Sequence, residues 1–380
     1  MKKVILIPDS FKGTMSSIEI CSIMKEKIKK YYPDCEVVSI AVADGGEGSV
    51  EAFLSSLGGK KVYIEVTGPY WGEKVRAYYG IPPNNTAVIE MAEAAGLPLV
   101  GDNKDPSKTT TYGVGELILD AVKRGASKII LGLGGSATND AACGLASALG
   151  VKFYDSEDNS FIPTGESLDR IEKIDLSNID DARVKKTPMV TMCDIDNPFY
   201  GKDGASYVYA PQKGATPSMV EDLDKKMEKL ASLIKRDFNI DLQKILGSGA
   251  AGGMGGGMVA FFSSKLQMGI ETVLETVRFD SLLSNADCVF TGEGRLDSQS
   301  LRGKVVIGVA RKAKEKNVPV VAIVGDIADN IENVYREGVS AVFSINRVAL
   351  PYSEQKKRAK SDLALTIDSL MRYQKMIERG

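Results

Sequence analysis

The residues best suited to chemistry lie in 131–144, which reads Leu-Gly-Leu-Gly-Gly-Ser-Ala-Thr-Asn-Asp-Ala-Ala-Cys-Gly. Gly134 and Gly135 let a ligand approach the backbone, and Ser136, Thr138, Asn139 and Asp140 follow with hydroxyls, an amide and a carboxylate. Such a run suits a phosphate, because a helix starting after the glycines would aim its first N–H groups at an anion. A plain strand-to-helix connection would use the same glycines, but capping needs one polar side chain and several are present. Charge gathers in further turns: 9–13 carries Asp9 and Lys12, 43–48 carries Asp44 and Glu47, and 291–297 carries Glu293, Arg295 and Asp297. Asp194 and Asp196 stand before Pro198, where they either do chemistry or form an Asx turn. Lys213, within Pro-Gln-Lys-Gly-Ala at 211–215, adds a cation.

The chain has no histidine. That removes Ser-His-Asp and Cys-His catalysis, histidine-ligated zinc and a histidine base together. Proton transfer then falls to Asp, Glu or Lys, and any metal is a hard cation on oxygen ligands, with Mg²⁺ first.

These residues need elements to position them. An apolar strand at 128–131 precedes the glycines and a helix at 141–149 follows. At the start, a strand at 4–7, a helix at 16–32, a strand at 36–41 and a helix to about residue 57 give the βαβα signature of a parallel, doubly wound sheet. The same pattern returns late in the chain, with strands at 288–290, 318–324 and 341–345 and helices at 303–316 and 353–377. Between them, strands at 62–67, 74–81 and 86–91 joined by Gly-Pro and Pro-Pro-Asn-Asn turns predict an antiparallel element. Residues 111–124 and 217–238 read as helices and 189–193 as a strand, while glycine-rich 247–258 is a hinge, a tightly packed helix or a ligand-facing loop.

The fold class is therefore α/β. The expected arrangement is a discontinuous Rossmann/flavodoxin-like domain of residues 1–60 and 279–380 around an inserted mixed α/β domain of residues 61–278. Ligands bind at the carboxyl ends of parallel strands. That rule draws turns 9–13, 43–48 and 291–297 onto one edge of the outer sheet, and leaves 136–140, 194–197 and Lys213 as a second set.

Composition narrows the class further. Apolar residues at 43% and charged residues at 26% describe an ordinary globular protein, and 48 basic against 50 acidic side chains give a net charge of −2. No large field favours nucleic acid or an anionic membrane, so neither is an expected partner. The apolar run after Lys3 ends within a few residues, which reads as a first strand and not a leader. Five widely spaced cysteines without a Cys-x-x-Cys pair predict reduced thiols and a cytoplasmic location.

Seven ordered motifs resemble the bacterial two-domain glycerate kinase family along nearly the whole chain. They are Asp-Ser-Phe-Lys-Gly at 9–13, Ala-Asp-Gly-Gly-Glu-Gly at 43–48, Gly-Leu-Gly-Gly-Ser-Ala-Thr-Asn-Asp at 132–140, Cys-Asp-Ile-Asp-Asn-Pro at 193–198, Pro-Gln-Lys-Gly-Ala at 211–215, Gly-Ala-Ala-Gly-Gly at 249–253 and Thr-Gly-Glu-Gly-Arg-Leu-Asp at 291–297. The resemblance implies ATP- and Mg²⁺-dependent phosphorylation of D-glycerate in a cleft between two domains. It implies 2-phosphoglycerate as product, with 3-phosphoglycerate the alternative; a monomer or homodimer is expected. Ala141-Ala142 stands where the family tends toward glycine, and Tyr207 where it often has histidine.

On that footing Gly134, Gly135, Ser136, Thr138, Asn139 and Lys213 are expected to bind ATP. Lys12 and Arg295 are expected to hold the substrate carboxylate, since a guanidinium suits a planar carboxylate. Asp194 is the expected base, with Asp44 and Glu293 as alternatives, and Asp297 the Mg²⁺ ligand with Asp140 as a second. A non-catalytic two-domain protein binding a small phosphorylated ligand is the competing function. A dehydrogenase is disfavoured, because no clean Gly-x-Gly-x-x-Gly follows the first strand.

Overall fold

The computed structural model describes residues 1–43, 45–46, 48–179, 182–297, 300–302 and 304–378. The chain divides into two compact units.

The first unit comprises Met1–Ala43, Glu51–Leu57 and Ile270–Gly380. Its five-stranded sheet is parallel throughout, in the order Val339–Ser344, Val320–Ile327, Cys288–Leu296, Lys3–Pro8, Glu36–Ser39. The first strand thus pairs with a strand from the far end of the sequence, Val4 opposite Cys288 and Pro8 opposite Gly292. Val4, Ile5, Leu6 and Ile7 are all fully buried, as a strand covered on both faces must be. The helix Ser17–Tyr31 begins where it does because Ser16 and Glu19 form a reciprocal capping box. Its buried residues Ile20, Met24 and Ile28 recur every fourth position and join Leu363, Ile367 and Met371 of the helix Tyr352–Ile377 in one core.

One expected turn is a strand. The spacing places a turn at 291–297, yet the strand Cys288–Leu296 runs straight through the glycines. Its neighbour Val320–Ile327 is long enough to pair with it to the end, Glu293 opposite Val324 and Arg295 opposite Asp326. Gly292 permits the approach: a Cβ there would stand 2.0 Å from the Ile323 carbonyl oxygen. The consequence is functional, since Glu293 and Arg295, two apart on a strand, share one face.

The second unit comprises Asp44–Val50 and Gly58–Gly269. Its six-stranded sheet has the order Lys265–Gln267, Met189–Met192, Lys128–Gly132, Thr86–Glu90, Lys74–Ile81, Lys60–Thr67. The first four are parallel and the last two antiparallel, so the sheet is mixed. A small antiparallel sheet of Lys152–Tyr154, Ser160–Phe161 and Lys173–Asp175, absent from the sequence expectation, packs Phe153 into a core with Phe199 and Phe261. The helix Pro217–Phe238 matches its expected bounds, capped by Thr216 and ended by Asn239 in a left-handed conformation.

Residues 44–50 group with this second unit, whereas the expected outer domain extended to residue 60. The reason is close backbone packing. Gly134 N–H donates to the Gly45 carbonyl at 2.9 Å, and a Cβ on Gly134 would fall 2.3 Å from Gly46 Cα. Buried Glu90 then accepts the N–H groups of Gly48 at 3.2 Å and Val50 at 2.7 Å. Residues 45, 46 and 48 thus make these contacts within the second unit. Among the described residues no helix is long and apolar enough to cross a membrane.

Candidate active site

In the first unit the charged groups gather at the carboxyl ends of Lys3–Pro8 and Cys288–Leu296. Asp9 N–H continues the ladder to the Gly292 carbonyl at 2.8 Å, and the Asp9 carboxylate accepts Ser10 N–H at 2.7 Å. Glu293 is only 6% exposed, and its Oε1 has no hydrogen-bond partner among the described residues. Burial pushes its carboxyl up from 4.5 to about 7, helped by the negative charges of Asp9 and Asp297, against a Ser300 hydrogen bond and the Lys304 cation. Asp297 is half-buried and its N–H donates to Ser300 Oγ at 3.1 Å. Arg295 is exposed, with Nε 3.9 Å from Asp326. Lys12 is also exposed and lines a cavity of about 390 Å³ with Ser10, Gly13, Thr14, Ser16 and Glu19. The two cations belong to adjoining segments, because Gly294, next to Arg295, abuts the backbone of Phe11 and Lys12.

In the second unit the glycine turn is built differently from expectation. Gly135 has φ +76°, a conformation L side chains rarely adopt, and its carbonyl accepts Leu97 N–H at 2.8 Å. The helix that follows starts only at Cys143, and its first amides are already satisfied. Cys143 N–H goes to the Asp140 carbonyl, Gly144 N–H to Asp140 Oδ2 and Leu145 N–H to Thr111 Oγ1. The expected helix N-terminal anion site is thus occupied by the protein's own acceptors, with Asp140 and Thr111 as caps in place of Ser136, Thr138 or Asn139.

Asp140 is fully buried, and its Oδ2 also accepts Thr111 N–H at 2.8 Å and the Thr111 hydroxyl at 2.9 Å. Burial raises its carboxyl above the ordinary value, while those hydrogen bonds pull it back. Oδ2 is thus spent on the protein, while Oδ1 has no hydrogen-bond partner among the described residues. Lys213 is buried as well; its Nζ donates to Ser136 Oγ at 2.7 Å and to the Thr138 carbonyl at 2.6 Å. It therefore holds the turn from within. What remains for a ligand are buried polar atoms without a partner among the described residues: Thr138 Oγ1, Asn139 Oδ1, Asp140 Oδ1 and, in the facing glycine segment, Ser248 Oγ. That segment meets the turn closely, since a Cβ on Gly252 would lie 2.1 Å from the Thr138 carbonyl oxygen.

Residues Ala251, Gly252 and Gly253 have left-handed backbones inside the helix Ala250–Phe262, which resolves the glycine-rich stretch as a broken helix packed on the turn. Opposite it, Ala141 and Ala142 adopt φ of 51° and 62°. These two positions demand the conformation glycine supplies, yet both methyls are buried in core clusters.

Asp194 is exposed on the loop after Met189–Met192, and its Oδ1 accepts Gly269 N–H at 2.8 Å. Asp44 and Glu47 lie outside the described residues. The sequence reading missed Glu90, Thr111 and Ser248. Glu90 had a visible signal, a carboxylate closing the apolar strand Thr-Ala-Val-Ile-Glu. Thr111 ends a run of three threonines at a helix start, all of them fully buried.

Comparison with known proteins agrees in outline. A model of the glycerate kinase family matches residues 4–375. The chain is 43% identical over 345 residues to the glycerate 2-kinase of Escherichia coli K12, covering 90% of each. It is 41% identical over 370 residues to the glycerate kinase of Bacillus cereus, covering 97% of each. A crystal structure from Salmonella typhimurium LT2, provisionally named glycerate kinase 2, superimposes with a TM-score of 0.87 at 40% identity over the full length of both chains.

Proposed function

The chain belongs to the glycerate kinase family, and from that premise we propose that it transfers the γ-phosphoryl group of ATP to the 2-hydroxyl of D-glycerate, giving ADP and 2-phosphoglycerate. The observation that carries the chemical assignment is Glu293, a carboxyl buried beside Asp9 and Asp297 and held near 7. Phosphoryl transfer asks the protein mainly to position groups and balance charge, plus a carboxylate to take the hydroxyl proton. A base serves best when its pKa lies near the working pH. Glu293 fits that condition, whereas Asp194 is exposed and spends one oxygen on Gly269. We therefore move the base from Asp194 to Glu293.

Within the first unit, Arg295 and Lys12 hold the substrate carboxylate. Arg295 shares its strand face with Glu293, which sets the acid group and the reacting hydroxyl on one surface. Within the second unit, the turn from Gly134 to Asn139 receives the nucleotide phosphates, with the buried Thr138 hydroxyl, which has no partner among the described residues, as a donor. Magnesium arriving with a nucleotide needs only one or two protein carboxylates. Asp297, half-buried, fits that need, whereas Asp140, fully buried with Oδ2 hydrogen-bonded, has only Oδ1 to offer. When bound, the ion neutralises charge on the phosphate oxygens. The free cysteines agree with a reducing cytoplasm.

The test is incubation of the protein with ATP, Mg²⁺ and D-glycerate, followed by phosphorus NMR of the product. A 2-phosphoglycerate signal matched by ADP is expected. The 3-isomer would overturn the regiochemistry, and absence of ADP would overturn the function.

A further inference from the structure

Lys213 closes the short helical turn Pro211–Lys213 and is 2% exposed. Its Nζ has two acceptors among the described residues, Ser136 Oγ and the Thr138 carbonyl. A neutral amine has two N–H groups to donate and an ammonium has three. The geometry around Nζ thus satisfies the neutral form and leaves the third proton of the cation without a partner. Burial pushes the amine down to about 7, and the charged group whose field opposes this is Asp140, at the far end of the same turn. Lys104 packs its backbone and Cβ against Gly214, the residue after Lys213. Lys213 cannot reach outward without giving up the two bonds that shape the turn.

We propose, resting on the proposed binding of phosphates at the glycine turn, that Lys213 is a proton-linked positioning residue: it sets the turn through Ser136 and Thr138, and it gains its third proton from solvent when a nucleotide phosphate binds there. The bound anion adds negative charge to the opposing field of Asp140, so anion and proton stabilise each other. The sign follows. Below about pH 7 the amine is already charged and binding takes up no proton. Above it, each nucleotide must bring a proton, and affinity falls by about tenfold per pH unit.

The experiment is calorimetric titration of the full chain with ATP at pH 7, 8 and 9, in two buffers of different ionisation heat. Wild type should take up close to one proton per nucleotide at pH 8 to 9, with affinity falling along that slope. Lys213→Met should take up none, lose its pH dependence and bind ATP at least tenfold more weakly at pH 7. Its KM for glycerate should change by less than about twofold. Ser136→Ala, which keeps the amine, should retain the proton uptake while binding more weakly. If wild type binds ATP without proton uptake at pH 8 to 9, the inference is overturned by wild type alone, whatever the folding of the variant. If ATP binds and Lys213→Met keeps the wild-type slope, Lys213 is structural and the nucleotide site stands. If ATP does not bind at all, the nucleotide site itself is wrong and this inference falls with it.

Discussion

Replacing Glu293 by glutamine separates the cost of a buried carboxylate from its use. The side chain has a folded-state value of about 7 against an ordinary 4.5. A group raised in this way stabilises the fold most at low pH, where it is protonated in both states, and that contribution is lost as pH rises from 4.5 through 7. Each tenfold weakening of the acid is worth about 1.36 kcal/mol, so ionisation of buried Glu293 costs about 3 kcal/mol once the pH is above 7. Most of that cost, about 2.5 kcal/mol, develops between pH 5 and pH 8. Glutamine has the same shape and no charge to bury. Denaturant unfolding of both proteins at pH 5 and pH 8 should show the variant gaining about 2.5 kcal/mol on wild type across the interval. Turnover should move the opposite way, falling by about 10²–10⁴ through loss of the base. At saturating ATP, wild-type kcat/KM for glycerate should rise with pH to a plateau above about 7. If the two unfolding curves shift in parallel between pH 5 and pH 8, the carboxyl is not held near neutrality and the assignment of the base fails. If stability separates as stated but turnover survives, Glu293 is a buried acid without a catalytic task.

Four further variants test the same geometry. Arg295→Lys should raise the KM for glycerate about tenfold or more with little change for ATP, since an ammonium cannot grip a carboxylate bidentately; equal effects on both would move Arg295 to the phosphates. Asp297→Asn should lose turnover that added Mg²⁺ partly restores, whereas Asp194→Asn should keep near-normal turnover, and a large loss with Asp194→Asn would return the base to that residue. Asp140→Ala leaves the Thr111 and Gly144 donors without their acceptor and should destabilise by about 3 kcal/mol or more. Where folded, it should show the wild-type Mg²⁺ dependence, and a changed Mg²⁺ dependence would reinstate Asp140 as a ligand.

Much of the fold is legible in the chain because strong local patterns agree with the final packing. The five-residue apolar run after Lys3 reads as a strand covered on both faces, and Val4–Ile7 are fully buried. Thr216-Pro217 at one end and Asn239 at the other mark the bounds of the long helix in the local sequence. Where the pattern misled, a partner decided the outcome. Gly292 and Gly294 look like turn residues until the neighbouring strand Val320–Ile327 is known to continue beside them. Glycine then serves close strand approach, and charged residues that would suit a turn become residues of a strand face.

The site is less legible, for a related reason. Side-chain types in 134–140 announce polar chemistry, but whether each faces a ligand or the interior depends on segments far away in sequence. Thr111 is what draws Asp140 inward, and the Pro211–Lys213 turn is what turns Lys213 from a surface donor into an internal strut. The two alanines at 141 and 142 show the same dependence. Their left-handed backbones cost about 1–2 kcal/mol each relative to glycine, while a buried methyl group returns only about 0.8 kcal/mol. The positions persist because the left-handed turn at Ala251–Gly253 packs on them, Ala141 N–H donating to the Gly252 carbonyl at 3.1 Å. The conformation of the turn is thus set jointly by two glycine-rich segments about 110 residues apart. Neither segment read alone discloses which of its polar groups are left for a ligand.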